Sequence, residues 1–171
     1  MPSPIAHALA GVAAGWIVDP PPRRDTRGAI QRSIVFSALG MAADLDLLFG
    51  VHSGPTHGLG AAMFVGFVAW LCLRALGRGS RGATAGACAL AYASHTLLDW
   101  LGTDSSPPIG IMALWPIGRD YYESHLHVFM AISRRYWLPE FWTYNLHALM
   151  RELVILLPLA TLVFVARRRR P

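Results

Sequence analysis

The sequence predicts an all-α protein, a polytopic membrane bundle of about five helices with an aromatic-rich segment at the membrane interface. Hydrophobic residues make up 54% of the 171 residues, a high share for a soluble domain. All 15 basic residues are arginine, and no charged side chain lies between Asp46 and Arg74 or between Arg81 and Asp99. These uncharged gaps approach the roughly 20 residues that a bilayer-crossing helix needs. We expect one integral-membrane domain over residues 1–171.

The apolar stretches are predicted to be helices at 4–18, 29–49, 58–76, 83–101 and 146–166. The first lacks the basic start of a signal peptide and carries His7 within its apolar run, so we expect it to be retained. Helix-breaking residues in "DPPPRRDTRG", "SGP" and "GRGSRG" separate the first four helices from one another. Asn145 is expected to cap the last helix, and Pro158 to kink it.

Arginine placement predicts how the bundle is oriented. Arginines flank the first loop and the third loop, and more of them end the chain: Arg23, Arg24, Arg27 and Arg32; Arg74, Arg78 and Arg81; and "ARRRRP". By the positive-inside rule these two loops and the C-terminus lie on the cytoplasmic side of a bacterial-type inner membrane. The loop at 50–57 and the segment 102–145 are then expected on the outer face. Arginines beside apolar helices are typical anchors to anionic lipid, so we expect membrane lipid and no nucleic acid as partner.

Ionisable side chains gather on the predicted outer face. Histidines open the first and third helices, and carboxylates or a His/Asp pair close the second and fourth; these residues are His7, Asp44, Asp46, His57, His95 and Asp99. The topology came from the arginines alone, so this convergence is an independent check on it. Ionisable groups at membrane depth are energetically unfavourable and usually face a functional interior.

A metal site is the chemistry that this set favours. His95 and Asp99 in "HTLLD" are four residues apart, which places them on one helix face. A satisfied hydrogen-bonding pair is the alternative for these two residues. Asp44 and Asp46 diverge on a continuous helix, so we expect one to bind metal and the other to orient a histidine or to approach a second metal.

The turn "GPTH" delivers His57, with Thr56 as a cap for the third helix, and His7 completes the set. Mixed imidazole and carboxylate donors suit one or two divalent ions. Zinc is the first expectation, with manganese or iron possible.

Four blocks of the chain resemble the YdjM-type membrane-bound metal-dependent hydrolases: "SPIAHALAG", "DLDLL…GPTH", "HTLLDWLGTD" and "PPIGIMALWPIG". The order of Asp44, His57, His95 and Asp99 is also similar to that in zinc-dependent phospholipase C. That resemblance implies a second metal shared by His7 and Asp99. The chain departs from that pattern near its end, where His147 and Glu152 are five residues apart instead of four.

The expected reaction is hydrolysis of a phosphoester in a lipid or lipid-linked substrate by metal-activated water. Candidate catalytic carboxylates are Asp46, Asp104 and Glu152, and candidate phosphate-binding residues are Arg119 and Arg151. The structural alternatives are a turn cap for Asp104 and a local ion pair for Arg151 with Glu152.

Eight of the eleven Trp and Tyr residues lie between Trp100 and Tyr144, as in an interfacial segment that roofs the site. His125 and His127 in "ESHLH" could bind a metal, but two histidines on an exposed interfacial helix are more often solvated, so we leave them out of the predicted site. Two other functions stay open, a metal-ion or proton transporter and a non-enzymatic protein with a structural metal.

Overall fold

The computed structural model describes residues 1–50, 52–77 and 81–169. These residues form five α-helices and no strand, so the predicted all-α class is confirmed for them. The helices are α1 Pro4–Val18, α2 Thr26–Met41, α3 Leu59–Ala75, α4 Arg81–Leu101 and α5 Phe141–Arg169, and two 3-10 helices cover Ala42–Phe49 and Pro55–His57. Arg78, Arg170 and Pro171, which belong to the predicted cytoplasmic arginine groups, lie outside the described residues.

Local sequence explains where α1 and α2 begin. Ser3 caps α1 by accepting a hydrogen bond from the Ala6 N–H at 3.2 Å, and proline occupies the first turn. Asp25 caps α2 through the Gly28 N–H at 2.8 Å. The start of α5 differs from the prediction, because Asn145 lies inside the helix and holds Ser133 through two hydrogen bonds of 2.8 and 3.0 Å.

The predicted second helix is two elements. The α-helix α2 ends at Met41, and a 3-10 helix continues from Ala42 to Phe49. Gly50 then ends this segment in the left-handed region, at φ 71°, which glycine adopts without steric strain. A 3-10 helix has three residues per turn, so the directions of the carboxylates within it differ from those on a continuous α-helix.

Small residues let the helices approach closely. Helix α4 packs against α1, α2 and α3, and α1 also packs against α2 and α5. A Cβ atom added at Gly11 would lie 2.4 Å from the Phe36 carbonyl oxygen, and one at Gly40 would lie 2.3 Å from the His7 carbonyl oxygen. The backbones of α1 and α2 therefore meet at these glycines, which is typical of helix packing in lipid.

One helix in the described part of the chain can cross a membrane by length and composition. The span is Phe141–Arg168 in α5, with a mean hydropathy of 2.1 over a window that is 17% buried. Pro4–Val18 and Leu59–Ala75 are shorter apolar helices. At about 1.5 Å per residue each falls short of the roughly 30 Å hydrocarbon core.

Residues 102–140, here named the capping segment, cover one end of the bundle. Backbone hydrogen bonds join this segment to the end of α4, from Val128 N to Leu101 O at 2.8 Å, and to the start of α3, from Leu59 N to Ala113 O at 2.9 Å. Phe129, only 2% exposed, packs with residues of α1, α4 and α5. The capping segment therefore closes the end where α4 finishes and α3 begins.

Candidate metal centre

Four side chains from three parts of the chain converge beneath the capping segment. Asp44 comes from the longer 3-10 helix, His57 from the shorter one, and His95 and Asp99 from the last turns of α4. We name these four residues the donor cluster. The side chains of His57, His95 and Asp99 are fully buried, whereas that of Asp44 is 26% exposed. Asp44 therefore marks the open side of the donor cluster.

The four imidazole–carboxylate separations in the donor cluster are close to those expected in a tetrahedral cation site. From His95 Nε2, Asp99 Oδ2 lies at 3.0 Å and Asp44 Oδ1 at 3.6 Å. From His57 Nε2, the same two oxygens lie at 3.4 and 3.7 Å. Zinc bonds of about 2.0–2.2 Å in a tetrahedron put neighbouring donors roughly 3.3–3.6 Å apart. The four measured separations bracket that value.

The hydrogen bonds behind the two imidazoles fix which ring nitrogen faces the cluster. His95 Nδ1 lies 2.7 Å from the Gly40 carbonyl oxygen, which can only accept, so Nδ1 carries the proton. His57 Nδ1 faces Asp46 Oδ2 at 3.3 Å and Thr56 Oγ1 at 3.1 Å. In the neutral rings both Nε2 atoms then present lone pairs toward carboxylate oxygens. Two facing lone-pair donors repel each other unless a cation or an additional proton lies between them.

Unpartnered buried atoms mark the same place. Among the described residues, eight buried side-chain nitrogen or oxygen atoms have no hydrogen-bond partner. All but Trp16 Nε1 belong to this site: both ring nitrogens of His7, both carboxylate oxygens of Asp99, and Nε2 of His52, His57 and His95. Leaving a polar group buried and unpaired costs about 1–3 kcal/mol, and more for a charged one. The residues therefore suit a metal ion, which would satisfy these atoms.

His7 lies on the other side of Asp99. Its Nε2 is 3.4 Å from Asp99 Oδ1, and its ring stacks on that of His95 with centroids 3.8 Å apart. Donor atoms of His7, His95 and Asp99 lie within 4.8 Å of one another. Asp99 thus directs Oδ2 into the donor cluster and Oδ1 toward His7.

The electrostatics favour a cation here. Burial alone acts to lower the pKa of His57, but its interactions with Asp44, Asp46 and Asp99 raise that pKa to about 9. Burial, the largest single influence, acts to raise the pKa of Asp44 and of Asp46, yet hydrogen bonding to His57 together with the other neighbouring groups lowers both pKa values. The carboxylates are therefore ionised at neutral pH, and the metal-free site holds a proton on His57. A divalent cation would displace that proton.

Asp46 lies behind the donor cluster. Its Oδ2 accepts a hydrogen bond from Thr56 Oγ1 at 2.7 Å, and its Oδ1 lies 3.4 Å from His52 Nδ1. Asp46 therefore orients His57, and Thr56 serves this network although the sequence predicted it to cap α3. Sequence reasoning gave His52 no role. Its nearness to His57 in "HSGPTH" was the available signal, and their rings meet edge to face at 4.9 Å.

The other predicted site residues lie elsewhere. Glu152 is fully buried and accepts hydrogen bonds from the Ser3 N–H at 2.7 Å and from the Ser3 hydroxyl, so it ties α5 to α1. Asp104 accepts hydrogen bonds from the Ser106 and Gly110 N–H groups, as a turn cap does. Arg151 donates to the His127 carbonyl oxygen rather than pairing with Glu152.

A cavity of about 620 Å³ opens beside the site. His52 and Asp104 line it on one side, and the start of α5, with Phe141 and Tyr144, lines it on another. Arg134 also lines it, whereas Arg119, which is exposed, does not. Met1 forms part of the wall and interacts electrostatically with both Asp99 and Arg134. The cavity thus connects the surroundings of the donor cluster to the start of α5, the helix that is long and apolar enough to cross a membrane.

Comparison with known proteins identifies one family. The family model described as "YdjM inner membrane protein" matches residues 1–170. The curated proteins give no match to the chain, and the solved structures give none either.

Proposed function

Because the chain belongs to the YdjM family of inner membrane proteins, we propose that it is an integral-membrane metal-dependent hydrolase. Its substrate in this proposal is a phosphoester of a lipid or lipid-linked molecule. The observation that carries the proposal is the donor cluster, where two imidazole Nε2 atoms face two carboxylate oxygens at 3.0–3.7 Å with no hydrogen-bond partner for either Nε2 in the described part of the chain.

The proposed ligands are those that the geometry brings together. Asp44, His57, His95 and Asp99 would hold one divalent ion, and His7 together with Asp99 would hold a second. Imidazole and carboxylate donors suit zinc, with manganese or iron as further possibilities. Such ions polarise phosphoryl oxygens and activate water near neutral pH.

The second position argues for catalysis over a structural role. Structural zinc sites are closed by four protein ligands, whereas catalytic sites keep a place for water or substrate. In the described residues, His7 and Asp99 supply two facing donors at 3.4 Å. An ion bound by these two protein donors would leave coordination positions for water or substrate.

Residues around the ligands have positioning roles. The Gly40 carbonyl and the Asp46 carboxylate each accept from one imidazole Nδ1, which keeps both Nε2 atoms aimed inward. The capping segment limits the access of bulk water to the buried face of the cluster. Access is left through the 26% exposed side of Asp44 and through the neighbouring cavity.

The cavity is the proposed substrate site. Arg134 and Arg135 line it together with the apolar side chains of Leu138 and Phe141. Guanidinium groups bind phosphate oxygens in a bidentate manner, and the apolar wall suits an alkyl chain. We therefore assign phosphate binding to Arg134 and Arg135 instead of Arg119 and Arg151. Asp104 remains the candidate general base ahead of Asp46 and Glu152, because it lines the cavity although it also caps a turn, whereas Asp46 orients His57 and Glu152 is held by Ser3.

We propose that the whole bundle is embedded in the membrane, with the donor cluster toward the outer face and the C-terminus in the cytoplasm. Large apolar side chains on the outward surfaces of α3 and α5 support this arrangement: Met63, Phe64 and Phe67, and Val154, Leu157 and Leu162. Their exposure matches lipid as the surrounding solvent. Labelling of a cysteine introduced at Ser105, an exposed residue of the capping segment, in intact cells tests the orientation, and labelling only from the cytoplasm contradicts it.

The function is tested on the full chain purified in detergent. Metal content is measured by mass spectrometry, and the protein is assayed against phosphoester lipids and matched carboxyl-ester lipids before and after chelation. We expect zinc to copurify, and chelation to abolish phosphoester cleavage until metal is returned. Asp25→Asn is the matched control, because Asp25 is an exposed cap of α2 and asparagine caps equally well.

Two results would contradict the proposal. Full metal occupancy without cleavage of any substrate indicates a structural metal. Uptake of metal by sealed vesicles that contain the protein indicates a transporter, the other reading that the sequence leaves open.

A further inference from the structure

A second group of metal-binding side chains lies on the capping segment. Carboxylate oxygens of Glu123 face two imidazoles, with His125 Nδ1 at 3.4 Å from Oε2 and His127 Nδ1 at 3.6 Å from Oε1. Donor atoms of the three residues lie within 4.8 Å of one another. None of the three belongs to the donor cluster. We name this group the loop site.

The backbone is shaped to bring the two imidazoles together. The sequence predicts a solvated interfacial helix here, but residues 123–128 form an irregular loop. His125 and His127 both adopt positive φ angles, 56° and 47°, a region that few residues other than glycine occupy. Such conformations are unfavourable for residues other than glycine and persist where the surroundings enforce them.

The surroundings do hold this loop. Hydrogen bonds from Ser124 N to Trp100 O at 3.0 Å and from Val128 N to Leu101 O at 2.8 Å fix its ends to the last residues of α4. Arg151 of α5 donates to the His127 carbonyl oxygen at 3.0 Å. The loop that carries both histidines is therefore held by hydrogen bonds to α4 and α5.

The carboxylate of Glu123 is poorly compensated without a cation. Its side chain is 8% exposed, whereas those of His125 and His127 are 80% and 50% exposed. The backbone hydrogen bond that it receives, from Asp104 N, is long at 3.4 Å. A largely buried carboxylate needs an ion pair or a metal to offset its desolvation, and the two facing imidazoles can supply either.

From this geometry we propose that Glu123, His125 and His127 form a separate, exchangeable zinc site on the surface of the capping segment. Two imidazoles and a carboxylate are suitable donors for zinc, and three protein donors leave a position for water. The exposure of both histidines means that the ion exchanges with solvent more readily than one in the buried donor cluster.

The test counts zinc. The full chain in detergent is stripped of metal with a chelator and dialysed against increasing zinc, and bound zinc per chain is measured by mass spectrometry. Wild type is compared with His125→Ala/His127→Ala and with Glu123→Gln. The control is His147→Ala, which removes an exposed histidine of α5 outside both sites.

We expect the double histidine variant to lose one weakly bound zinc per chain and to retain the tightly bound metal. Glu123→Gln should weaken the same binding phase, and His147→Ala should behave as wild type. Equal zinc binding by wild type and the double variant overturns the proposal. So does equal loss of zinc in the His147→Ala control, which indicates nonspecific binding to surface histidines.

The same titration separates this proposal from the proposed function. Loss of the tight phase in Asp99→Asn, with the weak phase retained, supports both sites. A wild-type chain with only the weak phase, which the double variant removes, supports the loop site and contradicts the donor cluster.

Discussion

Each end of the bundle buries a carboxylate, but only one of these two carboxylates has ion-pair and hydrogen-bond partners within the described part of the chain. At one end Asp19, 8% exposed, pairs with the guanidinium of Arg32 and accepts a hydrogen bond from Thr84 at 2.8 Å. At the other end Asp99 is 3% exposed, and neither of its oxygens has a hydrogen-bond partner among the described residues. Burial is similar at the two ends, so burial alone does not distinguish a structural carboxylate from a functional one.

The difference lies in the source of the compensating cation. Arg32 is a residue of α2, so the protein itself supplies the positive charge that compensates Asp19. Around Asp99 the facing groups are imidazoles whose Nε2 atoms carry lone pairs, so the positive charge must come from a bound ion or from protons. This contrast makes the donor cluster a candidate metal centre, and the following variants test it.

The largest effect is expected at Asp99. Asp99→Asn removes the charge shared by the two proposed metal positions, so zinc affinity should fall by more than about 100-fold, beyond the range typical of residues behind the ligands. Hydrolysis should fall to background. Zinc content and cleavage rates are compared with Asp19→Asn, and full zinc occupancy in Asp99→Asn would remove the basis of the comparison.

A smaller effect is expected at Asp46, which contacts the proposed ligand His57 but is not itself a proposed ligand. Asp46→Asn keeps the shape of the side chain but weakens the acceptor that orients His57, so zinc affinity should fall by roughly 10–100-fold. Competition with a chelator of known affinity measures this change. An unchanged affinity would show that His57 is held by packing alone.

The close approach of α1 and α2 at Gly40 positions the carbonyl oxygen that accepts a hydrogen bond from His95. In Gly40→Ala the new Cβ would meet the His7 carbonyl oxygen at 2.3 Å and displace the carbonyl that orients His95. Overpacking of this kind costs about 1–3 kcal/mol. We expect a lower unfolding midpoint and weaker zinc binding. Gly82→Ala, with open space at its Cβ, is the control and should not lower the midpoint.

The smallest effect is expected at Asp19, the buried carboxylate that is paired with Arg32. In Asp19→Asn the guanidinium of Arg32 loses its charged partner, but its side chain is 40% exposed and can turn to water. Destabilisation should be about 1 kcal/mol, with zinc content unchanged. Thermal unfolding and metal analysis of the same sample check both statements. Loss of zinc in this variant would mean that the two ends are coupled.

Local patterns in the sequence predicted most helices well. The first helix was placed at 4–18 as observed, because Ser3, Pro4 and the Asp19–Pro20 boundary are strong start and stop signals. The second was predicted too long, since apolar periodicity does not distinguish an α-helix from the 3-10 helix that follows it. The predicted start of the fifth helix, at residue 146, lies after its observed start at Phe141, because Asn145 resembled a cap but instead bonds to Ser133.

The sequence by itself determined the all-helical class, the apolar surfaces and the pairing of His95 with Asp99, because residues four apart on a helix share a face. It also gave the residues that the structure brings together in the donor cluster. Only the tertiary structure decided which of Asp44 and Asp46 faces the cluster, since the switch to a 3-10 helix sets that direction. The cavity and the loop site likewise depend on contacts between distant segments, which no local periodicity encodes.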